Sequence, residues 1–520
     1  MTDLHRARRF APLLAALLLA GAVGSACVEQ ANPVCLVPRA LPDGPFATER
    51  IAAALADEGV RVRGFTGAAP PSSKIVISLN SKTIEVESDA LGRFEGVLVT
   101  KGASSDEALL TIAGDSTSVR VRPVSGMEGC VARPPLVTGT TPNDLAVALC
   151  GGIPVAFTPN SADGALAPTP LLPTNAGAPV LFPADDEGRG ANPYHVTLDT
   201  SGARAAVSLF GQDAVTLVDP CQGRVLDVAE PSASDGGPLV IDVTPAMDVE
   251  VPLDADGDGE SETHIERMRL RAPQGVAFAG DRLLVSYTNV LQLGEHPRYG
   301  PGVVVAFDVM GDELHPAGHV VLPFDNPQGL TLDEQGRPWV SCSGPLGPGQ
   351  TAFEALSDGG LVRLAPDTLE LERVIPFGRF APGTPAFDGD FLVVGSLVQP
   401  QVAVLPVAAG SVEQGQILPL PGGLRTESAF EAAALGGGLF LVTDFSSDVV
   451  HVIDALASEV DPWPFEGGIG VGPGGLAFRG AQAVTRVPGF TFGEDAPDAV
   501  ALLGLSSEIV PLQIWQVLGP

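Results

Sequence analysis

Basic charge is scarce in this chain. Lysine occurs only at Lys74, Lys82 and Lys101, and 29 lysines and arginines face 62 aspartates and glutamates, for a formal net charge of -33. Such a surface repels phosphate backbones and anionic headgroups, which excludes nucleic acid as a partner. After about residue 23 no segment stays apolar long enough to cross a bilayer as a helix, so the mature chain is not a helical membrane protein. There is no C-x-x-C or Cys/His cluster of the kind zinc requires. The G-x-S-x-G elbow, the H-E-x-x-H pair and the dinucleotide glycine pattern are missing too. His195, His264, His296, His315, His319 and His451 are scattered without metal spacing.

What is present in quantity is punctuation. Among 520 residues stand 62 glycines and 48 prolines, while valine, leucine, isoleucine and phenylalanine remain abundant. That balance suits many short strands joined by turns, and the length calls for several domains or a repeat-built ring.

The first residues combine basic Arg6, Arg8 and Arg9, an apolar run from Phe10 to about Val23, and small Gly24, Ser25 and Ala26 before Cys27. This predicts a secretory signal over residues 1–26. Small residues followed by Cys27 resemble a bacterial lipobox, which implies acylation of the Cys27 thiol and, with Val28 next, an outer-membrane address in the cell envelope. Ordinary cleavage after Ala26 is the alternative. Without Cys27 five cysteines remain, so one is left over under any pairing. Pairing Cys35 with Cys130 and Cys150 with Cys221 would close each domain locally, with Cys342 unpaired.

Residues 27–70 are rich in proline, alanine and glycine and are expected to form a tether, with one short helical stretch near residues 48–56. From there the pattern alternates. Segments 74–79, 83–87, 93–99, 108–112 and 118–122 have the period of half-buried strands and predict a small N-terminal β-sandwich over residues 71–125. The turn from Asp89 to Phe94 resembles the D-x-x-G-x-F turn of carboxypeptidase-regulatory-like and Ig-like modules, which implies a spacer.

A four-strand unit recurs with starts near 193, 273, 327, 385, 431 and 473, about 40 to 60 residues apart except for the first gap, where residues of about 231–270 are inserted. The third strand of three copies ends in Asp219, Asp308 and Asp454, expected to bond turn amides. Segments 143–149 and 153–157 can supply a seventh unit or a latch. Each unit exposes apolar faces that only a neighbour covers, so the predicted fold over 136–520 is an all-β propeller of six or seven blades, with seven favoured.

The blade phrases that begin at Pro193, Pro273 and Pro327 resemble the YncE-like and lactonase-type seven-bladed propellers. That resemblance implies a fold rather than an activity. In the insertion, Asp254, Asp256, Asp258, Glu260 and Glu262 alternate around Gly257 and Gly259, a spacing like that of EF-hand and integrin-type loops that would offer oxygens to Ca2+. A solvated acidic loop is the alternative. The expected role is a non-catalytic binding or scaffold protein that meets an unknown protein or glycan at one face and touches the membrane through its anchor alone. The competing role is a lactonase or gluconolactonase-type metal-dependent hydrolase, for which Asn289, Asn326 and Glu431 are the channel candidates.

Overall fold

Alternating apolar residues drive the front of the chain into strands. In the computed structural model Lys74–Leu79 buries Ile75, Ile77 and Leu79 on one face and turns Lys74 out. The residues described are 46–47, 51–56, 59–79, 81–99, 110–114, 117–121, 124–125, 136–137, 143–171, 177–186, 188–229, 248–253, 262–267, 270–293, 296–348, 353–420, 429–444, 449–460, 483–486, 499–504, 508–513 and 517–518. All of them fall in the unit Asn32–Pro520.

Lys74–Leu79 pairs with Lys82–Glu87 and Leu110–Gly114, and Thr117–Val121 and Val517–Leu518 complete a five-stranded sheet. A four-stranded sheet runs Phe94–Leu98, Gly59–Gly64, Ile51–Ala56, Val124–Ser125. The two approach closely at Gly96, where an added Cβ would lie 2.7 Å from Ile84 and 2.9 Å from Ile77. Residues expected to be helical therefore form a strand: Ile51–Ala56 pairs from Ile51 with Gly64 to Ala56 with Gly59. So short an alanine-rich stretch cannot hold a helix alone. Pairing it as a strand buries Ile51, Val60 and Val62 completely.

The rest of the chain is a succession of four-stranded antiparallel sheets, seven among the described residues. The first comprises Ala146–Cys150, Ile153–Asn160, Ala165–Pro170 and Val180–Leu181; the second Pro193–Leu198, Ala205–Leu209, Ala214–Asp219 and Arg224–Ala229. The third takes Pro273–Ala279, Arg282–Tyr287, Val303–Met310 and Glu313–Val321, and the fourth Pro327–Leu332, Pro338–Cys342, Gly359–Leu364 and Leu371–Gly378. Ala386–Asp388, Phe391–Gly395, Gln401–Pro406 and Gln416–Pro419 make the fifth; Ala429–Gly436, Leu439–Asp444, Val449–Asp454 and Glu459–Val460 make the sixth. The seventh joins Ala483–Arg486, Ala499–Gly504 and Glu508–Gln513 to Leu136–Val137, which precedes the first sheet in the chain. The repeat start near 473 lies outside the described residues.

Successive sheets stack face to face. On Arg282–Tyr287, Leu283, Val285 and Tyr287 pack with Val215 and Leu217 of the second sheet, while Leu284 packs with Val340 and Val362 of the fourth. Both faces of the middle strands are covered, which is why those strands are continuous apolar runs. The same sharing joins the first sheet to the second through Phe157 and Val207, the fourth to the fifth through Trp339 and Leu392, and the fifth to the sixth through Val393 and Phe440. First strands meet first strands, as between Pro193–Leu198, Pro273–Ala279 and Pro327–Leu332, and a parallel bridge links Thr384 to Glu431. The result is a propeller-like all-β arrangement with first strands innermost.

At one end, turns of neighbouring sheets are laced together. Arg204 donates to the Gly311 carbonyl, Arg282 to the Asp367 carbonyl, Gly389 N–H to Glu334, and Gly438 N–H to Asp388. A disulfide between Cys150 and Cys221 ties the first sheet to the second at the same end. Cys35 and Cys130 lie outside the described residues, and Cys342 is a buried free thiol whose pKa burial pushes far up.

Candidate functional site

In an antiparallel four-strand meander the links between strands one and two and between three and four leave at one end. The link between two and three, and the link to the next sheet, leave at the other. The laced turns mark the first end. Beside them lies the front of the chain: Ala47 and Gly67 line a cleft of about 350 Å³ with Asp388 to Phe391, Gly437, Gly438 and Leu456. Arg93 stands 3.5 Å from Glu459 there.

Among the described residues every inserted hairpin leaves at the opposite, crossover end. Asp248–Leu253 pairs with Glu262–Arg267 between the second and third sheets. Val290–Leu293 pairs with His296–Tyr299 between the middle strands of the third sheet, and Leu346–Pro348 with Phe353–Ala355 between those of the fourth. The last two touch, with the Leu346 backbone N–H at the Tyr299 hydroxyl.

Four of the inner strands also carry a β-bulge just after they start from this end, as the register shifts between Pro193 and Val196, Pro273 and Val276, Pro327 and Gly329, and Ala429 and Ala432 record. A hydroxyl on the second strand clips each bulge. Ser208 accepts from His195 N–H at 3.0 Å, Ser286 from Gly275 at 2.9 Å, Ser341 from Gly329 at 3.0 Å and Thr443 from Glu431 at 3.1 Å. Two residues of the inner strand then face one of its partner, which re-aims side chains at the mouth formed by the crossover ends of the inner strands. Tyr194, Gln274 and Gln328 hold equivalent places there. The pairing of Ala146 with Phe157 and the bond from Asn143 N–H to the Pro159 carbonyl put Asp144 in the same place on the first sheet.

Between the first two sheets the mouth is polar. His195 Nδ1 lies 3.1 Å from Asp144 Oδ2, which also accepts from Val196 N–H at 2.8 Å, while Oδ1 accepts from Leu145 N–H at 2.7 Å. A carboxylate only accepts, so the imidazole Nδ1 is the donor in this pair. Tyr194 sets its ring edge-on to His195 at 5.0 Å between centroids. Burial, and then the nearby Tyr299 and Asp144, push the Tyr194 hydroxyl up to about 12, so it is a neutral donor at physiological pH. Polar atoms of Asn160 on the first sheet, and of Gln274 and Tyr287 on the third, are buried without partners.

The channel candidates named from sequence have other work. Asn289, at φ 51°, accepts from Arg271 N–H and donates to the Pro301 carbonyl; Asn326, at φ 54°, donates to Ser343 and Gly344 and accepts from Gln328. Both shape crossover links. Glu431 sits at a clipped bulge. Asp219 and Asp454 accept from turn amides, whereas Asp308 accepts from the Arg282 guanidinium. Of the acidic insertion, Asp254, Asp256, Asp258 and Glu260 lie outside the described residues, and of Glu262 the backbone alone is described, paired with Leu253. Cys27 lies outside as well. The partnership of Asp144 with His195 is not legible in sequence because 51 residues separate the two; the repeated hydroxyl one residue before the end of several second strands is the available signal.

No family model matches the chain, and no curated protein matches it. Among solved structures it is similar to hydrazine synthase of Kuenenia stuttgartiensis, at 9% identity and a TM-score of 0.47 over 72% of this chain and 96% of that one. It is also similar to U3-55K, at 9% identity and 0.46 over 72% and 96%, and to the computationally designed Ika8 protein, at 11% identity and 0.38 over 73% and 98%.

Proposed function

We propose that the chain is a seven-bladed propeller of the YncE-like and lactonase-type architecture, fronted by a small β-sandwich and held in the cell envelope by a lipid on Cys27, and that it acts as a non-catalytic binding or scaffold protein. The observation that carries the binding role is the segregation of its ends. The front of the chain lies against the laced turns, and the three inserted hairpins among the described residues leave from the crossover end, so a chain anchored at its front presents those hairpins outward. The partner in this reading is a protein or glycan of the envelope. A metal-dependent hydrolase would need free donors converging on the axis, whereas Asn289 and Asn326 commit their amides to crossover links. The acidic loop from Asp254 to Glu262 would hold Ca2+.

A photo-crosslinking residue at Glu354, on a crossover hairpin, compared with one at Gln335, in a laced turn, tests the role in cells that make the protein. Adducts from Glu354 with none from Gln335 are expected; adducts from Gln335 alone, or from neither site, contradict the reading. Cys27→Ser should move the protein out of the membrane fraction, and retention at the native level removes the anchor. For the loop, calcium should raise the unfolding midpoint, and an unchanged midpoint leaves a solvated loop.

A further inference from the structure

Three second strands can be compared one residue beyond the end of the bulge clip, two places after Thr158, Ser286 and Ser341. In the third sheet Thr288 donates to the Ala272 carbonyl, and in the fourth Ser343 is bonded to Asn326. In the first sheet the same place is Asn160, 1% exposed, with neither Nδ2 nor Oδ1 partnered. Gln274, 6% exposed, likewise leaves its Oε1 without a donor. Gln328, its equivalent on the next inner strand, is bonded to Asn326. Leaving a buried polar group unpaired costs about 1–3 kcal/mol, so such groups ordinarily have a partner.

These two amides stand at the same mouth as the Asp144 and His195 pair, with Tyr194 partly exposed between them in the order of inner strands. Tyr299, brought in by the 290–299 hairpin, is close enough to Tyr194 to raise its pKa. The inventory is specific. Asn160 Oδ1 and Gln274 Oε1 accept; Asn160 Nδ2 and the tyrosine hydroxyls donate. Asp144 already accepts from two backbone amides and an imidazole, so its charge is not open to a cation. A ligand that offers several groups, each both donor and acceptor, and a flank suited to an aromatic ring, fits this set: the hydroxyls and ring face of a neutral sugar.

We propose that the crossover mouth between the first three inner strands is a saccharide-binding site, built from Asn160, Tyr194, His195 and Gln274. This deepens the binding role proposed above and rests on it. The sugar can be free or part of an envelope glycan, and the two are separable by experiment.

The test is saturation-transfer NMR on the mature, disulfide-bonded protein, with a panel of neutral disaccharides in one arm and solubilised cell-wall glycan strands in the other, at up to about 10 mM. Transfer to ring protons of a disaccharide is expected for a free-sugar site, and transfer to the strands alone identifies a polymer site. Gln274→Leu and Tyr194→Phe should each weaken binding by tenfold or more, whereas Gln328→Leu should not. Gln274→Leu should not lower the unfolding midpoint, because it removes an orphaned acceptor, so loss of binding will not reflect loss of fold. No transfer in either arm, or binding unchanged in both variants, overturns the site and leaves ordered water as the partner of these amides. If that happens while Glu354 still crosslinks, the binding role survives and the sugar does not.

Discussion

The Ser286 hydroxyl accepts from the Gly275 N–H and faces the Gly275 carbonyl at 3.4 Å, so one small side chain satisfies the backbone groups that a bulge takes out of the ladder. Ser341 and Thr443 repeat the device at Gly329 and Glu431. Space dictates glycine at two of these bulges: a Cβ on Gly275 would fall 2.6 Å from Leu330 N, and one on Gly329 2.5 Å from Thr384 Oγ1. Ser286→Ala is therefore expected to cost about 1–2 kcal/mol in denaturant unfolding; a change within error would mean that the bulge needs no clip. A second local device is the turn in which Asp333 accepts from Gln335 N–H, Arg337 N–H, the Arg337 guanidinium and Trp339 Nε1. Burial pushes the Asp333 carboxyl up, but the bonds from Trp339 and Arg337 outweigh it and hold the pKa below its ordinary 3.8. A depressed carboxyl contributes stability that is complete above the ordinary value and lost as pH falls through the lowered one. Asp333→Asn should cost about 2–3 kcal/mol at neutral pH, a gap that narrows on acidification below about pH 4. A gap independent of pH would contradict this assignment.

At the scale of elements, what could be read from sequence was what two-sided burial writes into it. The runs at 283–287, 303–308 and 339–342 are apolar at every place because each strand has a sheet on both faces, and the prolines at 193, 273 and 327 mark the crossover starts of inner strands. Residues 143–157, weighed as a seventh unit, are the first two strands of a four-stranded sheet. Illegible parts depend on partners far away in the chain. Ile51–Ala56 favours helix locally and becomes a strand through Gly59–Gly64, and the hairpins at 290–299 and 346–355 lie inside sheets where a repeat reading expects a tight turn. In sequence Asp144 is one of 62 acidic residues, and only the second inner strand brings His195 to it. The Cys150 to Cys221 bridge spans 71 residues and joins turns of adjacent sheets. In the chain-entropy view a loop of that length is worth about 4 kcal/mol, so Cys150→Ser with Cys221→Ser should lower unfolding stability by about 2–5 kcal/mol with the fold retained. An unchanged midpoint would show that the laced turns alone hold these sheets together.

For the whole molecule the decisive feature is how the ends of the chain are used. Leu136–Val137 leaves the front sheets to complete the last sheet, and Val517–Leu518 returns from the last sheet to the front. Both ends of the repeat are thereby committed to the same region, and in the proposed propeller a ring closed in this way would hide the apolar faces that its terminal sheets would otherwise expose. The pairing of Val137 with Glu508 is the seam on which closure depends. The most direct measurement is a double substitution, Val137→Cys with Glu508→Cys, oxidised at low protein concentration and run without reductant. A closed ring gives an intramolecular crosslink in the monomer and a raised unfolding midpoint, because directly opposed antiparallel residues lie within disulfide reach. A monomer that stays uncrosslinked, or crosslinks only between molecules, would mean that early strand and last sheet do not meet.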